Sequence, residues 1–197
     1  ILDLASGKPA GEPVDGAADN FTWSADGDFL FYARRAGSGG PRTIWLHSLA
    51  EKQDEDILLY HERDRDFTVR INKTLNGQVI WLDISNKNSS EVRYLKAADP
   101  RGRFQLLAAR RTGVKYHLLH QGKSFCIRTT AGSPNSRLML VPESDTARKN
   151  WREKVPAREG IVLENAELFR HHLALFEQHE GRRKVRILNL NGAGSHY

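Results

Sequence analysis

The chain has 197 residues, 39% of them hydrophobic and 27% charged, with a formal net charge of +6. That length fits one ordinary domain or two small ones and supplies enough apolar residues for a packed core. The longest apolar runs, Phe29 to Ala33 and Ile57 to Tyr60, fall far short of the ~18 residues a membrane helix needs, and a lone Cys126 excludes an internal disulfide.

The N-terminal Ile1-Leu2-Asp3-Leu4 reads as the inside of a strand, no basic-then-apolar signal segment precedes it, and the only methionine is Met139. These features predict a piece of a longer polypeptide. From there the chain repeats itself. Each unit opens with a short strand and a turn: Phe21-Thr22-Trp23-Ser24 before Asp26-Gly27, Phe67-Thr68-Val69 before Asn76-Gly77, Tyr116-His117-Leu118 before Gln121-Gly122, and Glu167-Leu168-Phe169 before His171-His172. Asp-Gly and Asn-Gly supply the positive φ angles of tight turns. A second strand follows each turn, at Phe29 to Tyr32, Val79 to Leu82, Ser124 to Ile127 and Leu173 to Phe176.

Third strands start at Arg42, Ser90, Ser136 and Arg183, in steps of 48, 46 and 47 residues. Fourth strands are more polar, as in Asp56 to Tyr60, Phe104 to Leu107 and Trp151 to Val155, which suits an outer edge facing water. Four short antiparallel strands in about 45 residues is the period of a β-propeller blade. The predicted fold is therefore all-β, an arc of about four four-stranded antiparallel blades. The approximate blades are 1–18 (partial, because Ile1 to Leu4 matches Ile187 to Leu190), 19–66, 67–114, 115–164 and 165–197 (partial, ending after its third strand).

Several stretches then resemble a known family. The opener Trp23-Ser24-Ala25-Asp26-Gly27 is similar to those of peptidase-associated propellers, and Ile84 to Val92 resembles a small-polar loop ending in Ser-Glu-Val. Pro134-Asn135-Ser136-Arg137-Leu138 is similar to a Pro-Asn-x-Arg/Lys-Leu element, and Trp151 to Glu159 to a Trp-x-x-x-(Ile/Val)-Pro-x-Arg-Glu stretch. Together, and in this order, they resemble the oligopeptidase B branch of the prolyl oligopeptidase family of serine peptidases.

The resemblance implies part of a seven-bladed propeller whose parent carries a C-terminal α/β-hydrolase domain as its partner. It implies a parent that cleaves short peptides after Lys or Arg, with the propeller gating access to the active site. The hydrolase domain itself is absent here. Its Gly-x-Ser-x-Gly nucleophile elbow has no match; Ser38, in Ala36-Gly37-Ser38-Gly39-Gly40, comes nearest but has alanine at the first position. No catalytic residue is therefore assigned, and the chain alone is expected to be inactive. The alternative is a stand-alone propeller-like module that binds a protein partner. The gene's downstream sequence separates the two.

Other groups read as structural. His171, His172 and His179 tempt a metal assignment, but strand neighbours point to opposite faces and no His-Glu-x-x-His pattern accompanies them, so no metal site is assigned. Cys126 sits in the apolar run Phe125-Cys126-Ile127 and reads as a small buried hydrophobe. Trp23, Trp45 and Trp81 read as packing between blades rather than a ligand platform. The run Gly37-Ser38-Gly39-Gly40-Pro41 lacks the Lys-Ser/Thr of a phosphate loop and reads as a long hairpin, and no cofactor is assigned. The sequons at Asn20, Asn72 and Asn88 read as chance.

Lys and Arg number 30 against 24 Asp and Glu, yet Arg34-Arg35, Arg110-Arg111 and Arg182-Arg183 are dispersed and interleaved with acids. A solvated rim is expected, not a nucleic-acid groove. No membrane partner is expected, and the lone cysteine favours a reducing, cytoplasmic setting. An arc with two open ends is expected to self-associate through its uncovered blade faces.

Overall fold

The computed structural model describes residues 4–9, 13–35, 39–190 and 195–196. Its strands form four sheets, each an antiparallel meander of four consecutive strands. The first holds β1 (Ala17–Trp23), β2 (Phe29–Arg35), β3 (Pro41–Ser48) and β4 (Ile57–His61). The second holds β5 (Thr68–Lys73), β6 (Val79–Ser85), β7 (Ser90–Lys96) and β8 (Gln105–Ala108). The third holds β9 (Tyr116–Gln121), β10 (Ser124–Thr129), β11 (Arg137–Pro142) and β12 (Arg152–Val155). The fourth holds β13 (Ile161–Leu168), β14 (His172–His179), β15 (Arg182–Asn189) and the two-residue β16 (Ser195–His196).

Burial explains the composition of each strand position. Second strands are covered on both faces, so Phe31, Tyr32, Ala33 in β2 and Val79, Ile80, Leu82 in β6 run nearly continuously apolar. Fourth strands face solvent: Ile57, Leu58, Gln105, Arg152 and Glu153 are exposed. The last sheet, expected to stop at its third strand, gains β16 through pairs Ile187↔His196 and Leu188↔Ser195. Of the expected preceding unit, Ile1 to Asp3 lie outside the described residues, and Leu4 to Ser6 form a turn.

Two turns differ from expectation. The β9–β10 hairpin closes over Gly122-Lys123, one residue later than Gln121-Gly122, because Gln121 already pairs with Ser124. His172 begins β14 rather than lying in a turn dipeptide, and the bend is closed by Phe169 N–H donating to the His172 carbonyl at 2.8 Å. A further two-residue turn was not anticipated: Glu180-Gly181 joins β14 to β15 with φ of 49° and 76°, the paired left-handed angles of a type I′ hairpin.

The chain divides into two compact units. One contains the described residues up to Lys73 with Gly77–Lys87 and Arg93–Leu106; the other contains Thr74–Asn76, Asn88–Val92 and the described residues from Leu107 onward. In the first unit the core joins Phe31, Ile44 and Leu46 to Val69, Ile71, Ile80, Leu82 and Ile84. Polar links reinforce it: Ile71 N–H donates to Asn20 Oδ1 at 2.6 Å, and Lys73 Nζ donates to the Trp23 carbonyl at 2.8 Å. In the second unit Cys126, Leu138 and Val155 pack against Leu163, Ala166, Leu173 and Leu175.

Candidate functional site

The conspicuous motifs turn out to organise connections. Ser90 is buried; its Oγ accepts from the Tyr116 N–H at 2.8 Å, and its own N–H donates to the Val114 carbonyl at 2.9 Å. Ser89 Oγ accepts from Gly113 N–H at 3.1 Å, and Arg110 pairs with Glu91 at 3.2 Å. The Ser-Glu-Val stretch thus fixes the chain entering β9.

Pro134–Leu138 and the Trp151–Glu159 stretch meet each other. Asn135 Nδ2 donates to the Arg158 carbonyl at 2.9 Å, and the Asn135 carbonyl accepts from Leu163 N–H at 2.9 Å. Arg158 pairs through Nη2 with Glu177, and Arg186 donates to the same carboxylate at 2.7 Å. Burial pushes the Glu177 carboxyl up, but the two guanidiniums outweigh it and hold the group below its ordinary range.

Two buried histidine networks escaped the sequence reading. His47 Nδ1 meets Asp56 Oδ1 at 2.7 Å, while Tyr32 OH donates to Asp56 Oδ2 at 2.5 Å. Burial and the adjoining carboxylate push the Tyr32 hydroxyl up to about 12, so it stays protonated. In the other network His120 Nε2 meets Glu143 Oε1, and Asn76 Nδ2 lies 2.9 Å from His120 Nδ1. Each pair has the geometry of a base with its orienting carboxylate, but neither histidine has a serine or cysteine among its hydrogen-bond partners in the described residues. They can tie strands together.

The remaining candidates fall as follows. Among the described residues no three His, Cys, Asp or Glu gather to hold a metal. His172 and His179 stand at opposite ends of β14, and His171 lies in the bend before it. Cys126 is 1% exposed, and burial pushes its thiol up to about 12, which removes nucleophilic character. Trp81 is buried, but Trp23 and Trp45 are only half-buried, and Trp45 carries the Arg34 guanidinium 5.2 Å from its ring centroid. Gly37 and Ser38 of the glycine run lie outside the described residues. Asn20 is occupied by its bonds to Ile71. No helix among the described residues is long and apolar enough to cross a membrane.

Residues 1–196 match the family described as prolyl oligopeptidase, N-terminal β-propeller domain. The chain belongs to that family. This propeller domain is 30% identical over 200 residues to dipeptidyl aminopeptidase BI of Pseudoxanthomonas mexicana, covering 98% of the chain and 27% of that relative. It is 27% identical over 191 residues to protease 2 of Moraxella lacunata, covering 96% of the chain and 27% of the relative. Its backbone resembles oligopeptidase B from Leishmania major with a TM-score of 0.87 at 19% identity, covering 95% of the chain and 27% of that structure. The domain spans about a quarter of the length of the curated relatives it matches.

Proposed function

We propose that this chain is the non-catalytic propeller part of a serine oligopeptidase, whose α/β-hydrolase domain is supplied by a longer parent chain. The parent cleaves short peptides after Lys or Arg, in the cytoplasm, by acyl transfer through a Ser-Asp-His triad. The propeller restricts entry to that triad, excluding folded and long substrates. One observation carries this reading: nearly the whole chain matches a peptidase propeller family while covering about a quarter of its relatives. Tyr32 and Cys126, both buried and with their pKa pushed up to about 12, hold their protons and so are not nucleophiles at neutral pH, which agrees with it.

The test is substrate size. The full-length gene product should cleave a short peptide bearing one internal arginine and leave the same sequence intact when it is embedded in a folded protein. Equal rates on both substrates would contradict the gating role, and an absence of cleavage after Lys or Arg would contradict the specificity.

A further inference from the structure

Within the second compact unit, packing between the third and fourth sheets stops short at one end. On β10, Ser124 and Cys126 face the same way, because residues two apart on a strand share a face. Both side chains are small. Where bulkier residues meet, as Leu138 and Val155 do with Leu163 and Leu175, the core is continuous. Beside Ser124 and Cys126 a cavity of about 200 Å³ opens instead, although protein interiors hold few voids larger than one water. Its floor is apolar, made of Cys126, Leu140, Leu168, Leu173 and Leu190.

Three polar side chains, Gln121, Ser124 and Lys154, complete the lining and have unused bonding capacity. Gln121 Nε2 donates to the Phe169 and Arg170 carbonyls at 3.1 and 2.9 Å, which fixes the orientation of the amide. Its Oε1 accepts from nothing among the described residues, and the Ser124 hydroxyl has no partner there either. Lys154 lies at a β-bulge, where the β11–β12 register shifts between Leu138 and Met139, and a bulge re-aims a side chain. Its ammonium makes no ion pair among the described residues, and no acid lines the cavity. It stands close enough to the floor to oppose the burial that pushes the Cys126 thiol up.

An occupant that matches this lining is apolar at one end and anionic at the other, with an N–H for the free acceptor. At the ~30 Å³ that one water-sized group takes in a liquid, the cavity has room for about six or seven heavy atoms. A leucine side chain brings four of them and its terminal carboxylate three. An alkanoate would meet the floor and the ammonium but leave Gln121 Oε1 idle. A peptide terminus meets all three, since its last N–H lies next to the carboxylate. We propose that this cavity binds the free C-terminus of a peptide ending in an apolar residue of leucine size. The side chain rests on the leucine floor, the carboxylate meets Lys154 and the last N–H donates to Gln121. The inference rests on the peptidase reading only in taking the occupant to be a peptide.

The test is an anisotropy titration on the full-length gene product, pre-treated with a fluorophosphonate so that no serine chemistry consumes the probe. The probe is fluorescein-labelled Gly-Gly-Gly-Leu with a free carboxylate. Saturable binding is expected, about tenfold weaker when glycine replaces the leucine and several-fold weaker when the terminus is an amide. Lys154→Met should reduce the carboxylate peptide to the level of the amide and leave the amide peptide where it was. Lys154 is exposed, so the melting temperature of that variant should not change. Leu190→Trp, which fills the half-buried edge of the cavity, should weaken both peptides. Absent binding, equal binding of the three peptides, or indifference to either variant would each overturn the site. Hexanoate displacing the probe at the concentration at which acetyl-Gly-Gly-Leu does so would overturn the peptide assignment. Uptake of the fluorophosphonate is read independently of peptide binding, so this inference and the peptidase reading fail separately.

Discussion

Ser90 shows how a short polar residue earns its place. Its Oγ is the acceptor for the Tyr116 N–H. Ser90→Ala should leave that buried donor orphaned and cost about 1–3 kcal/mol, read as a lowered urea midpoint at unchanged slope; an unchanged midpoint would contradict this role. His117 gives a pH dependence. Burial, then the nearby Arg128 guanidinium, pushes its pKa down to about 4, below its ordinary 6.5. Between those values the unfolded chain binds more protons, so stability is full above pH 6.5 and is lost as pH falls toward 4. His117→Gln should remove about 1–3 kcal/mol of the loss between pH 7 and pH 4.5, measured as the difference in unfolding free energy at the two values. An identical loss in the variant would contradict the assignment. The Glu177 carboxyl is held low, so its contribution is present above the ordinary carboxylate range and is lost as pH falls through its depressed value.

At the scale of elements, the hairpins carry the most direct test. Glu180 holds φ of 49° without being glycine or asparagine. Glu180→Asn should stabilise the β14–β15 hairpin by about 0.5 kcal/mol, seen as a small rise in melting temperature; a fall would contradict the type I′ assignment. Strands and most turns were legible because alternation, aromatic runs and Asp-Gly or Asn-Gly pairs are local signals. Glu180-Gly181 was missed because glutamate does not advertise a left-handed angle. Gln121-Gly122 was displaced by one because the sequence does not show that Gln121 already pairs with Ser124. The His120 network was invisible for a different reason: Asn76 and His120 are 44 residues apart and belong to different sheets, so only the tertiary fold brings them together. The motifs Pro134–Leu138 and Trp151–Glu159 were visible as resemblance, yet only the fold shows that Asn135 grips the Arg158 backbone.

For the whole molecule, the proposed role makes the chain a dependent part. It should self-associate when isolated, consistent with exposed Phe21 in β1 and Val162 and Val185 in the fourth sheet. Light scattering should show a mass that rises with concentration; a constant monomer mass would count against uncovered blade faces. The central claim is that the chemistry lies in a partner domain of the same polypeptide. The decisive measurement is capture of the native gene product from its source cells, with its intact mass and its reaction with a fluorophosphonate probe recorded together. The account predicts a species several times heavier than this chain that takes up the serine-directed label. A species of this chain's own mass that stays unlabelled would contradict it.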